Sequence, residues 1–183
     1  MIVRLVILAL VVVILDATVH TQTKALMEDL KEARLVISKS KRTLEVFDGD
    51  TKIKSYKMVL GFDPKGGKEI EGDGRTPEGD FYVFTKNPES RFHLSLGVSY
   101  PGKEDVERGL NAGLISQTEH DEIIAAIVEQ RIPLQKTKLG GEIYIHGGGT
   151  ASDWTDGCVA LDNDQMTELF NAIPIGAKVT ILP

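Results

Sequence analysis

Ile143-Tyr144-Ile145-His146-Gly147-Gly148-Gly149-Thr150-Ala151-Ser152-Asp153-Trp154-Thr155-Asp156-Gly157-Cys158-Val159-Ala160-Leu161 is the stretch on which the fold and chemistry of this chain turn. It opens as a short apolar strand ending on His146, and three glycines leave the flank of the imidazole open. Twelve positions on, Gly157 precedes Cys158, the only cysteine of the chain. A cysteine nucleophile needs its thiolate, and an imidazole is the usual partner that lowers a thiol pKa from about 8.5. It also needs backbone N–H groups aimed at the developing oxyanion. A glycine directly before the cysteine lets the backbone approach the attacked carbonyl closely. The intervening loop is long enough to fold the thiol back on the imidazole. Residue types alone leave a second reading open, a buried, inert Cys158 beside an unrelated strand-end His146. The flanking glycines, an exported context and the lack of a disulfide partner favour the reactive reading.

Outward from this stretch the chain reads as strands interrupted by one helical excursion. Leu35-Val36-Ile37 and Leu44–Phe47 are strand-like, and Asp48-Gly49-Asp50 is a turn signal between Phe47 and an alternating run over Lys52–Leu60. A Gly-rich stretch, Gly61–Gly79, leads through Thr76-Pro77-Glu78-Gly79 into a strand over Asp80–Thr85. Arg91–Val98 and Glu142–Ile145 are further strand candidates, and Ala177–Leu182 closes the chain. Residues 101–139 differ. Ser116-x-x-Glu119 is a capping box, Ile123, Ile124, Ile127 and Val128 follow at helical spacing, and Pro133 is the expected stop. This segment is expected to form a lid or side wall over the cleft. Asp162-x-x-Gln165 is expected to cap a last helix with Met166, Leu169 and Phe170 on one face. The pattern is mainly β with α additions.

The chain has 183 residues, enough for one domain of ordinary size. Hydrophobic residues make up 42% and charged residues 26%, which excludes wholesale disorder. The net charge is −6 with no basic cluster, which argues against a nucleic-acid partner. A single cysteine makes neither an internal disulfide nor a multi-cysteine metal site. No HExxH motif or paired His/carboxylate cluster points to a metal, so no cofactor is expected. His20 and His120 have no motif context. Near the N-terminus, Arg4 precedes an unbroken apolar run, Leu5–Leu15. The run has the length of a signal-peptide core and falls short of the roughly 20 residues of a membrane span. Ala17-Thr18-Val19 matches the small-x-small cleavage pattern only loosely. Residues 1–20 therefore read as a signal peptide or an uncleaved signal anchor, a buried N-terminal element being the remaining reading. Residues 21–33 read as a polar spacer and 34–183 as the catalytic domain. An export signal implies the periplasm or cell envelope, with membrane contact only through an uncleaved N-terminal segment.

His146-Gly147 followed by Thr155-Asp156-Gly157-Cys158-Val159 resembles the catalytic signature of the L,D-transpeptidase (YkuD-type) domain of bacterial cell-wall enzymes. The stretch Gly72-Asp73-Gly74-Arg75-Thr76-Pro77-Glu78-Gly79-Asp80-Phe81 resembles the family's Gly-x-x-Thr-Pro-x-Gly-x-Phe element, and the ending from Leu161 to Ile181 is similar to the family's ending. The resemblance covers residues 34–182 and implies a β-sandwich or barrel-like catalytic domain with a helical insertion. Where many members carry Arg two positions after the cysteine, this chain has Ala160. That departure, Trp154 and the insertion look more like the YafK-type branch, which includes an amidase that cuts a lipoprotein from peptidoglycan.

The resemblance implies that Cys158 attacks the carbonyl of an L,D-peptide bond in a peptidoglycan stem and forms a thioester. His146 is the implied base, with the Gly147 carbonyl orienting it and the N–H groups of Gly157 and Cys158 as oxyanion donors. Trp154 and Thr155 would line the cleft, with Arg75, Arg91, His93 and Tyr100 at its border. The implied partner is the stem peptide, or a peptidoglycan-linked lipoprotein. Transfer to an amine and hydrolysis share the acyl-enzyme, so both stay open. A non-catalytic peptidoglycan-binding module is a further reading, which an intact His146 and Cys158 argue against. A papain-like protease is disfavoured by order, since its cysteine precedes its histidine.

Overall fold

The alternating strands of the sequence pair into one curled sheet. The computed structural model describes Met27 and residues 30–183. The export segment at 1–20 and most of the spacer at 21–33 lie outside the described residues. Among the described residues the strands are β1 (Ala33–Ser38), β2 (Thr43–Asp48), β3 (Thr51–Lys57), β4 (Gly79–Ser90), β5 (His93–Val98), β6 (Tyr144–His146), β7 (Val159–Ala160) and β8 (Lys178–Leu182). The helices are α1 (Lys103–Asn111), α2 (Gln117–Val128) and α3 (Asn163–Ala172). No helix among the described residues is long and apolar enough to cross a membrane.

The strand order is β3-β2-β1-β8-β4-β5-β6-β7. The pairs β1/β8 and β6/β7 are parallel, and the others antiparallel. β4 bends the sheet by serving two partners: Gly79–Tyr82 pairs with β8, and the remainder pairs with β5 through two register shifts. Such bulges raise local twist. They also let Pro88 sit inside the strand, because the second shift falls between Asn87 and Ser90. Beyond β3 the chain reaches the far edge of the sheet, where Val59 exchanges both backbone hydrogen bonds with Ala160 and Gly61 bridges Thr155. The result is a half-barrel, mainly β with three helices.

Period-two burial explains the core. Leu35 and Ile37 of β1, Leu44 and Val46 of β2, and Val179 and Ile181 of β8 are buried on the inner face. Met166 and Leu169 of α3 cover them, with Phe170 partly buried against the same cluster. Fully burying a side chain of this size stabilises by roughly 1.5–3 kcal/mol. Met27 also packs in this core, so the stretch read as a polar spacer contributes one core side chain. Asp162 does stand at the N-cap of α3, but its side chain makes no cap bond and accepts instead from Thr150 Oγ1 at 3.1 Å.

The insertion carries its own small apolar cluster of Val106, Ile115, Ile123 and Leu139. Its second helix starts as the sequence indicated: Ser116 Oγ accepts from Glu119 N at 3.2 Å, and Glu119 Oε2 accepts from Ser116 N at 2.8 Å. Its stop differs. The helix ends at Val128, five positions before Pro133, because Gln130 takes φ 52°. Gln130 N then bonds to Ile127 O and Arg131 N to Ala126 O, which is a Schellman ending.

Two tyrosines tie the insertion to the sheet. Tyr82 Oη donates to Arg131 O, and the fully buried Tyr100 Oη donates to Leu139 O at 3.0 Å. Tyr100→Phe would leave that carbonyl unpaired and is expected to cost about 1–3 kcal/mol. Thermal unfolding should show the loss, and faster amide exchange around Leu139 should localise it. An unchanged melting temperature would mean that the insertion is held by its apolar contacts alone.

Candidate active site

Cys158 is presented by a tight turn braced from three sides. Gly157 has φ +126°, and a Cβ there would lie 2.7 Å from Arg75 O, so only glycine fits both the conformation and the space. Thr155 Oγ1 accepts from Gly157 N at 3.3 Å and donates to Cys158 O at 2.7 Å. Thr76 Oγ1 accepts from Gly61 N at 3.1 Å and reaches Cys158 O at 3.5 Å. The Thr76 carbonyl is held in turn by Lys39 Nζ at 2.9 Å, a buried lysine that also pairs with Glu78 at 2.8 Å. The Gly-rich stretch thus supports the cysteine turn through backbone and hydroxyl contacts.

His146 ends β6, the strand beside the turn. The register Ile145↔Val159 and His146↔Ala160 sets Cys158, just ahead of β7, beside Tyr144. Cys158 therefore stands two positions before the residue that pairs with His146. The imidazole is buried, and Nδ1 lies 2.6 Å from Gly147 O. A carbonyl only accepts, so Nδ1 carries the proton and Nε2 is left as the base. Phe92 stacks on the ring at 4.7 Å between centroids, and Trp154 meets it edge-on at 5.5 Å. Gly147 has no room for a side chain, since a Cβ would lie 2.6 Å from Asn163 Oδ1 and 2.9 Å from Phe92 O.

Burial disfavours the charged form of both groups. Burial pushes the Cys158 thiol up to about 11, assisted by Asp156 and only partly offset by the Tyr144 N–H, Lys68 and Arg91. Burial also lowers the His146 imidazole, against the opposing pull of the Gly147 carbonyl. Sγ accepts from Tyr144 N at 3.4 Å and donates to Glu142 O at 3.6 Å, and no hydrogen bond joins it to His146 among the described residues. Because a raised thiol pKa keeps the sulfur protonated to higher pH, alkylation of the unliganded protein by iodoacetamide should climb about tenfold per pH unit through pH 9 or so without levelling. A plateau near neutral pH would instead reveal a preformed thiolate–imidazolium pair.

The two residues open on a cleft of about 810 Å³. The Gly-rich stretch supplies Phe62, Lys68 and Glu71, and the insertion supplies Glu119 and Gln135–Lys138. Arg91, Phe92 and Trp154 line it beside His146. Lys68 is buried and bound to Asp73 Oδ1 at 2.9 Å. Burial would raise the Asp73 carboxyl, but Lys68 and the N–H groups of Glu69, Arg75 and Ile70 more than offset it and hold it below the usual range. Among the described residues no group of His, Cys, Asp and Glu could hold a metal ion.

A strand-end histidine and a glycine-held cysteine just ahead of the adjacent strand of a half-barrel have a counterpart among known domains. The family model described as the L,D-transpeptidase catalytic domain, YkuD, matches residues 32–181. The chain belongs to this family. No curated protein matches the chain. Among solved structures, the helical cell shape determining protein Pgp2 from Campylobacter jejuni aligns with TM-score 0.59 and 24% identity over 84% of this chain. Bd1075 from Bdellovibrio bacteriovorus aligns with TM-score 0.54 and 21% identity over the same share. The chain spans about half the length of each, 48%. These likenesses show the fold.

Within this YkuD-family domain the residues singled out by sequence divide into two groups. Cys158, His146, Trp154 and Thr155 share the cleft. Three residues set at its border lie elsewhere. The Arg75 guanidinium pairs with Asp63 at 2.9 Å and Glu69 at 3.7 Å, and only its backbone carbonyl reaches the cysteine turn. His93 is exposed and bonds Thr167 Oγ1 at 2.7 Å. Tyr100 is fully buried under the insertion. Gly157 N is engaged by Thr155 Oγ1 in this structure, so a substrate oxyanion would have to displace that bond to use it. Phe92 and Thr76 hold the imidazole and the cysteine turn, and neither stands out as a site residue in the sequence. Phe92 read only as an apolar residue of a strand, and Thr76 only as part of a turn.

Proposed function

We propose that this YkuD-family chain is an exported cysteine enzyme that acts on peptidoglycan stem peptides through a Cys158 thioester. The observation that carries the reading is that His146, at the end of β6, and Cys158, just ahead of β7, line one cleft. Substrate binding brings the carbonyl of an L,D-peptide bond to Sγ. His146 Nε2 takes the thiol proton as the C–S bond forms, and the same proton passes to the leaving amine as the C–N bond breaks. The Gly147 carbonyl stabilises the imidazolium that exists between the two transfers. Backbone N–H groups at the cysteine turn steady the oxyanion. An acceptor amine then gives the transpeptidation product, and water gives hydrolysis, with His146 taking the acceptor's proton and the thiolate leaving.

Export rests on Arg4 and the apolar run Leu5–Leu15. The hydrolytic outcome, which includes cutting a peptidoglycan-linked lipoprotein, is favoured by Ala160. It is a buried methyl paired with Val59, so that position offers the donor stem no guanidinium. The test is incubation of purified protein with sacculi and defined tetrapeptide stems, followed by mass analysis of products. New 3–3 cross-links identify transfer, and released peptide or protein without cross-links identifies hydrolysis. No product of either kind from native muropeptides would defeat the assignment.

A further inference from the structure

Arg91 stands immediately before Phe92 in the turn between β4 and β5 and faces the cleft. Its guanidinium lies over the Phe92 ring at 4.7 Å, and Phe92 stacks on the His146 ring at the same spacing, so one aromatic ring contacts both the cation and the imidazole. No ion pair or hydrogen bond engages Arg91 among the described residues. The other cleft cations are placed differently. Lys68 is buried and spent on Asp73 and Ile70 O. Lys136 and Lys138 belong to the insertion's wall. Glu71, Glu119, Glu142 and Asp156 also face the cleft, and they repel an anion from much of it. Arg91 influences the titration of both His146 and Cys158, whereas Lys68 influences only Cys158.

A planar guanidinium stacked on an aromatic ring and free of partners is preorganised to take a carboxylate through two parallel N–H bonds. We propose that Arg91 is a specificity-determining residue that binds a substrate carboxylate lying within one residue of the bond Cys158 attacks. In a tetrapeptide stem two groups have that chemistry: the terminal carboxylate of the leaving D-residue, and the side-chain carboxylate of the diamino acid. The first would make the site select chain ends, and the second would make it select the diamino acid. The stem-peptide part of this proposal rests on the function proposed above, whereas the carboxylate part rests on the cleft alone.

Binding to Cys158→Ala protein, which cannot turn over, tests it by calorimetry. The probes are L-alanyl-γ-D-glutamyl-diaminopimelyl-D-alanine, the same peptide as its C-terminal carboxamide, and the peptide with lysine in place of diaminopimelate. The full peptide should bind at least about tenfold tighter than the one lacking the carboxylate that Arg91 reads. Adding Arg91→Gln should erase that difference, and Arg91→Lys should keep part of it. The proposal is overturned if Arg91→Gln weakens all three peptides alike, leaves the difference in place, or if the full peptide does not bind. Wild-type protein that binds with this selectivity but forms no product would remove the proposed function and leave the carboxylate site standing.

Discussion

Cys158→Ala is expected to lower kcat/KM on tetrapeptide stems by at least about 10⁴-fold, because every bond change in the proposed route passes through Sγ. The fold should survive. The variant gives up the weak bonds of Sγ to Tyr144 N and Glu142 O, while the braces from Thr155 and Thr76 act on the Cys158 carbonyl and remain. The expected stability change is about 1 kcal/mol, a few degrees of melting temperature. Cys158→Ser should be nearly as inactive, since an alcohol is far harder to deprotonate beside an imidazole that burial has made a weak base. Turnover retained in a clean Cys158→Ala preparation would sink the mechanism, and a collapse of the fold would show that the thiol is structural.

Gly157→Ala is the second large effect. The residue combines a positive φ with a carbonyl 2.7 Å from where a Cβ would stand. That carbonyl belongs to Arg75, whose own N–H is bound by Asp73 and whose neighbour Thr76 is held by the buried Lys39, so it has little freedom to withdraw. Strain and overpacking together should cost about 2–4 kcal/mol. Relief would come by shifting the cysteine turn, and an ångström of misplacement at a nucleophile costs on the order of 10²-fold in rate. The variant should therefore lose both several degrees of melting temperature and about 10²-fold or more in kcat/KM. Full activity in Gly157→Ala would mean that the turn is not the rigid platform described above.

The strands with period-two burial and the capping box at Ser116 could be read from sequence because each is a local pattern, and the His-Gly and Gly-Cys elements because together they match a family pattern. What escaped the reading depends on contacts distant in sequence. β7 is only Val159–Ala160, and its apolar run reads as a strand only once Val59 and Ile145 are seen to flank it. β4 runs on through Pro88 because a bulge absorbs the missing donor, whereas the proline alone suggests an earlier end. Lys39 and Lys68 look like surface charges, yet both are buried and organise the Gly-rich stretch around backbone carbonyls and two carboxylates. The position of Arg75 in the Gly-rich stretch suggests the border of the cleft, but Asp63, twelve positions earlier, claims its guanidinium. Phe92 becomes a site residue only when β5 and β6 pair and bring its ring onto His146.

The central claim is that Cys158 carries the acyl group, and intact-protein mass spectrometry tests it most directly. Wild-type protein mixed with a tetrapeptide stem and quenched in acid should gain the mass of the tripeptide acyl group, mapped by digestion to Cys158 and removed by hydroxylamine. His146→Ala should slow its appearance, and Cys158→Ala should show none. Product formation by wild-type protein with no such adduct at any quench time, or an adduct that persists in Cys158→Ala, would contradict the account.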